Sequence, residues 1–146
     1  MDRRVFLQSA VAAGVSAAAV PALAAKFAAL TEVSGSISAV TGSRSAVEIE
    51  QAAVQELSDS LRGNLLMPGN PGYDTARRVL NGGIDRHPAF VVQPVGATDI
   101  RKAVTFARDR DLLLAVKCGG HSYAGKSTCD GGLQIDLSTF RHARVD

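Results

Sequence analysis

The side chains best placed to do chemistry lie in one short stretch, Lys117-Cys-Gly-Gly-His-Ser-Tyr-Ala-Gly-Lys126, directly behind the apolar run Leu112-Leu-Leu-Ala-Val116. Glycines at 119 and 120 allow positive φ and let a bulky ligand approach the backbone closely. A run of outward-facing amides can hold a phosphate or pyrophosphate without any charged side chain. A Gly-Gly turn after a strand is usually only a turn, so the weight of the argument falls on His121 beside it. Imidazole transfers protons, ligates metals and forms covalent bonds. Cys118, His121 and Cys129 could be read as zinc ligands, but a closed structural site needs a fourth, and only His87 and His142 remain. No metal is expected. Neither Gly-x-Gly-x-x-Gly nor a phosphate loop ending in Gly-Lys-Ser/Thr is present.

The elements that must position this stretch follow from periodicity. Ala89-Phe-Val-Val-Gln93, ending at Pro94, suits a buried strand. Thr98 is a candidate N-cap and Asp99 a first-turn acid for a helix to about Arg110. Ile100, Val104 and Ala107 share one face of it, with Ala103 beside them. Residues 112–117 read as a second buried strand. Strand, helix and strand make a βαβ unit, whose two strands are expected to be parallel and adjacent. The glycine-rich loop 118–130 follows. Leu133-Gln-Ile-Asp-Leu137 alternates like a half-buried strand, and 142–146 starts as another. Upstream, Val47, Val54, Leu57 and Leu61 recur at helical spacing, predicting a helix over about 45–62 that Arg62-Gly63 stops. Met67-Pro-Gly-Asn-Pro-Gly-Tyr73 is turn chemistry, and Asp74–Leu80 has room for one or two helical turns. The fold class expected is α+β: a βαβ unit, a glycine-rich loop and further strands.

The amino terminus carries a different signal. Arg3-Arg4 precede Phe6-Leu7, an uncharged stretch rich in Ala, Val and Gly runs to Ala25, and Ala22-Leu23-Ala24 offers a small-x-small cleavage pattern. Residues 1–25 therefore read as a twin-arginine-type signal peptide rather than a membrane span. Transient handling by the twin-arginine translocation machinery and a periplasmic or extracellular destination are expected. That pathway carries folded proteins, often with a cofactor already inserted. Residues 26–44, rich in Ser, Ala and Gly, read as a linker, and 45–146 as the folded part. Export would permit a disulfide, and the sequence leaves open whether Cys118 and Cys129 are bridged. A net charge of +2, no Trp and 5% aromatic residues give neither a phosphate footprint nor a stacking platform, so nucleic acid is not an expected partner. A small organic molecule is.

The run from Lys117 to Ser138 resembles the flavin-attachment segment of the FAD-linked oxidases related to vanillyl-alcohol oxidase, p-cresol methylhydroxylase and berberine bridge enzyme. Leu61-Arg-Gly63, Met67-Pro-Gly69, Tyr73-Asp74, Ala76-Arg77, Asn81, Asp85-Arg-His-Pro-Ala89, Ala103-Val104 and Phe106-Ala-Arg108 extend the resemblance upstream. Cys118 stands where many of these proteins have glycine. The resemblance implies the first half of a PCMH-type FAD-binding domain. FAD would be held through backbone groups of Cys118, Gly119, Gly120 and Ser122, with Gly125 keeping the loop close and His121 bonded covalently to the flavin 8α carbon. In the intact enzyme it implies hydride transfer from an organic substrate to flavin N5, with reoxidation commonly by O2. No catalytic base is assigned within these residues. The rest of the FAD domain and the substrate domain are expected to lie outside this sequence. The 146 residues alone would then be inactive, or a truncated secreted fragment without cofactor.

Overall fold

The computed structural model describes residues 35–140. The signal peptide read at 1–25 and the strand expected at 142–146 lie outside these residues.

The described chain opens with a hairpin. Strands β1 (Ser36–Val40) and β2 (Ala46–Glu50) pair antiparallel, Ser36 opposite Glu50 and Val40 opposite Ala46. This corrects two expectations, the linker to residue 44 and the helix from 45. Ile37, Ala39, Val47 and Ile49 alternate with Ser36, Ser38, Glu48 and Glu50 at the period of a strand. Ala39 and Ile49 are buried in the main core. Val47 belongs to that period-two pattern, and its seven-residue spacing from Val54 is coincidental. Helix α1 (Gln51–Ser60) starts only afterwards and buries Val54 and Leu57.

Strand β3 (Asn64–Leu66) pairs antiparallel with β4 (Phe90–Gln93). Between them the Pro/Gly turn leads into the short helix α2 (Tyr73–Arg77), whose Tyr73 hydroxyl donates to Pro88 O at 2.6 Å in the interior. Helix α3 (Ala97–Asp109) follows β4. Its N-cap is Gly96, without a side-chain cap, so Thr98 does not cap it. Asp99 does more than complement the dipole. Its fully buried carboxylate accepts the amides of Arg62, Gly63 and Val95 at 3.0–3.1 Å, tying the end of α1 to the start of α3. The buried stripe of α3 is Asp99, Ala103, Phe106 and Ala107, and Val104 is exposed. Phe106 meets Phe90 edge to face, 6.2 Å between centroids.

Strands β5 (Leu114–Lys117) and β6 (Leu133–Asp136) complete a sheet of order β3-β4-β6-β5. β4 and β5 are not neighbours as expected. β6 lies between them, parallel to both. Burial explains the order. All four β6 residues are buried, so β6 is not the half-buried strand its alternation suggests, whereas Leu114 and Val116 leave one face of β5 open at the edge. Phe90, Val92, Leu133 and Ile135 pack into the core shared with α1, α3 and the hairpin. Each such side chain contributes roughly 1.5–3 kcal/mol on burial.

The other sheet face is polar at its centre. Gln134 and Asp136 are fully buried there, and their register partners Ala115 and Lys117 share the face. Lys117 Nζ lies 3.3 Å from Asp136 Oδ1. Gln93 donates to Asp136 Oδ2 at 3.1 Å, and the Ser138 amide to Oδ1 at 3.1 Å. Ala76 O, a carbonyl in the last turn of α2, accepts from both Lys117 and Gln134. A helix-end carbonyl without an intrahelical partner is thus satisfied by two side chains of the sheet.

Candidate functional site

The loop 118–132 joins β5 to β6 and returns the chain along the segment 79–90, which holds it residue by residue. The Leu80 amide donates to Gly120 O at 3.0 Å, and Asn81 Nδ2 to Tyr123 O at 3.1 Å. One Arg86 nitrogen donates to Gly125 O at 3.2 Å and Thr128 O at 3.1 Å. The His87 amide donates to Asp130 at 2.9 Å, while His87 O accepts the Gly131 amide at 2.8 Å. Within the loop, Gly125 N donates to Ser122 O and Lys126 N to Ser122 Oγ, at 3.0 and 3.1 Å.

These bonds take up the loop's carbonyls near the front and leave its amides. The N–H groups of residues 119–124 donate to no acceptor among the described residues. Gly120, at φ +69, is buried, and a Cβ there would come within 3.3 Å of Val79 Cα. Gly119 is the opposite case. It is exposed, but a Cβ would come 2.5 Å from Cδ2 of His121, so glycine is what makes room for the imidazole over the turn.

The six residues singled out from sequence therefore share one loop with different surroundings. Cys118, Gly119 and His121 are exposed, Ser122 is half-buried, and Gly120 and Gly125 are buried. Gly125, at φ +70, packs against Ile84. Lys117, the one basic residue leading into the turn, points inward to Asp136. An anion on this loop would thus be met by amides at the turn rather than by that ammonium. Cys118 and Cys129 are free thiols. Burial pushes the Cys129 thiol up to about 11, which keeps it neutral near pH 7 and unreactive. The structure brings no group of three or more His, Cys, Asp or Glu into a metal-holding arrangement among the described residues. No helix among those residues is long and apolar enough to cross a membrane.

Sequence reasoning did not single out Arg86 or the Lys117–Asp136–Gln134 network. Asn81 and Arg86 stood in the upstream match without a role, because a lone Arg or Asn in a turn is indistinguishable from a solvated surface residue.

Residues 88–146 match the FAD binding domain family. The (R)-6-hydroxynicotine oxidase of Paenarthrobacter nicotinovorans is 30% identical over 87 residues, 60% of this chain and 19% of that protein. An FAD-linked oxidoreductase of Penicillium ochrochloron is 39% identical over 79 residues, 53% of this chain and 18% of that one. The crystal structure of 6-hydroxy-D-nicotine oxidase from Arthrobacter nicotinovorans superposes with a TM-score of 0.57 at 30% identity, covering 60% of this chain and 19% of that chain. The chain spans about a fifth of the length of the curated relatives it matches.

Proposed function

We propose, from the match of residues 88–146 to the FAD binding domain family and the likeness to FAD-linked oxidoreductases, that the loop 118–125 holds the FAD pyrophosphate and that His121 bonds covalently to the flavin. The observation that carries this reading is the set of amides at 119–124 without an acceptor among the described residues, beside an exposed imidazole on a glycine turn. Backbone N–H groups converging on a concave turn bind anions without a charged side chain. Amides of Gly119, Gly120 and Ser122, with the backbone of Cys118, would contact the phosphates. The positive φ of Gly120 and Gly125 keeps that turn compact.

Joining an imidazole nitrogen to the flavin 8α carbon removes one hydrogen from each. The two protons and two electrons released would pass to dioxygen, giving hydrogen peroxide. Flavin bound here would supply the redox chemistry, taking hydride at N5 from an organic substrate in the whole protein. This chain's residues supply position and electrostatics, and a covalent tether prevents cofactor loss after export. The twin-arginine-type signal fits a protein exported folded with its cofactor, and replacing Arg3 and Arg4 by lysine should block that export without reducing synthesis. Turnover belongs to the complete protein, and residues 1–146 alone are expected to bind FAD weakly and to be inactive.

The test is acid precipitation of the complete protein. Yellow colour should stay with the precipitate in the wild type and pass to the supernatant for His121→Ala. Colour retained in the precipitate of the variant removes His121 as the attachment point.

A further inference from the structure

The carbonyls of the flavin loop are gathered from one side. Leu80 N takes Gly120 O, Asn81 Nδ2 takes Tyr123 O, and the Arg86 guanidinium takes Gly125 O and Thr128 O. Each peptide unit is rigid and planar, with its N–H opposed to its C=O. Drawing the carbonyls of 120 and 123 toward the 80–86 segment therefore turns the amides of 121 and 124 away from it. Arg86 is itself fixed. Arg77 donates to its backbone carbonyl at 3.0 Å, and Asp130 lies 3.9 Å from Nε. Asn81 is fixed by accepting the Gly83 amide on its Oδ1 at 3.1 Å, which leaves Nδ2 to face Tyr123.

We infer that Asn81 and Arg86 are positioning residues for covalent flavin attachment: Asn81, holding Tyr123 O, turns the 124 amide away from the 80–86 segment, Arg86 anchors the far side of the loop at Gly125 O and Thr128 O, and together they hold His121 at the flavin edge. The inference rests on the covalent reading of His121. Neither side chain needs to touch the flavin. The loop between residues 118 and 132 carries three glycines at positive φ, at 120, 125 and 131, so its peptide planes can flip easily once the clamp is gone. Loss of the clamp should accordingly slow bond formation more than it weakens reversible FAD binding, which also depends on parts of the protein outside this loop.

The experiment uses the complete protein, produced in riboflavin-starved cells and mixed with FAD. Flavin retained on gel filtration measures total binding, and flavin retained after acid measures the covalent fraction with time. Arg86→Met should bind FAD but form the covalent bond roughly tenfold or more slowly, the scale of losing charge-assisted hydrogen bonds. Arg86→Lys, which keeps one donor, should fall between. Asn81→Asp, which keeps the acceptor for Gly83 but faces Tyr123 O with an oxygen, should be slowed as well. Wild-type attachment rates in both Arg86→Met and Asn81→Asp overturn the inference. If Arg86→Met does not fold, as read from loss of a cooperative melting transition, Asn81→Asp decides by the same criterion. His121→Ala, run in parallel, separates the two levels: covalent flavin in that variant refutes the attachment reading itself, whatever the clamp variants do.

Discussion

In β6, Gln134 and Asp136 are fully buried, and their polar atoms are taken up by Lys117, Gln93, the Ser138 amide and Ala76 O, leaving only Gln134 Oε1 without a partner among the described residues. In the loop just before it, the amides of 119–124 have no acceptor among those residues. The two regions are close in sequence and hang on the same strand β5, through Lys117 and Cys118. One closes its hydrogen bonds internally and the other holds them open. A buried polar group without a partner costs stability, so closure in β6 serves the fold. In a loop whose residues 119, 121, 123 and 124 are exposed, open groups cost little and remain available to a ligand. The place where a fold keeps donors unused is where an anion can be read from structure.

The comparison predicts separable effects. The largest belongs to the closed region. Asp136→Ala leaves Lys117 buried with its charge unpaired and should destabilise the protein by about 3–5 kcal/mol, measured by urea unfolding. Combining it with Lys117→Met should recover much of that loss. A cost for Asp136→Ala no larger than that of an ordinary surface substitution would break the contrast.

Asp99 offers a second closed site with a pH signature. Burial pushes its carboxyl up, but the amides of Val95, Arg62 and Gly63 outweigh it and hold the group below the usual carboxylate range. A carboxylate depressed in the fold stabilises the protein above its unfolded value of about 3.9, and that contribution is lost as pH falls through the folded value. Stability should therefore drop on acidification below about pH 4. Asp99→Asn should be weaker at pH 7 and flatter across that window. An unchanged slope would show that other carboxylates carry the acid sensitivity.

The smallest stability effects, and the sharpest functional ones, belong to the open region. Gly120→Ala places a Cβ at φ +69 against Val79 and should cost about 1–2 kcal/mol. Gly119→Ala, at an exposed position, should change stability by less than about 0.5 kcal/mol. It nonetheless displaces the His121 ring, so covalent flavin should fall sharply while melting is nearly unaffected. Parallel losses of stability and flavin in Gly119→Ala would mean that the turn is part of the core rather than a held-open site.

The loop was legible in the sequence because glycine pairs and a histidine behind a strand have few structural uses together. β4 and α3 were legible from Phe90-Val-Val92 and from the helical recurrence of Ile100, Ala103 and Ala107. The hairpin was not, since Ser and Gly dilute an alternation carried by only Ile37, Ala39, Val47 and Ile49. Nor was the sheet order. Chain order suggests that β4 and β5 are neighbours, but the position between them goes to the strand buried on both faces, and a buried Gln134 and Asp136 look like solvent-facing residues until Lys117 and Ala76 O are seen opposite them. The lacing from Asn81 and Arg86 depends on contacts about forty residues apart, which no local pattern encodes.

The most direct measurement is peptide mapping of the complete, flavin-loaded protein. Trypsin cuts after Lys117 and Lys126, releasing the loop as Cys118–Lys126. Flavin absorbance and the added mass should travel with that peptide, and fragmentation should place the adduct on His121. Flavin carried on any other peptide, or released entirely as free FAD, would contradict the account.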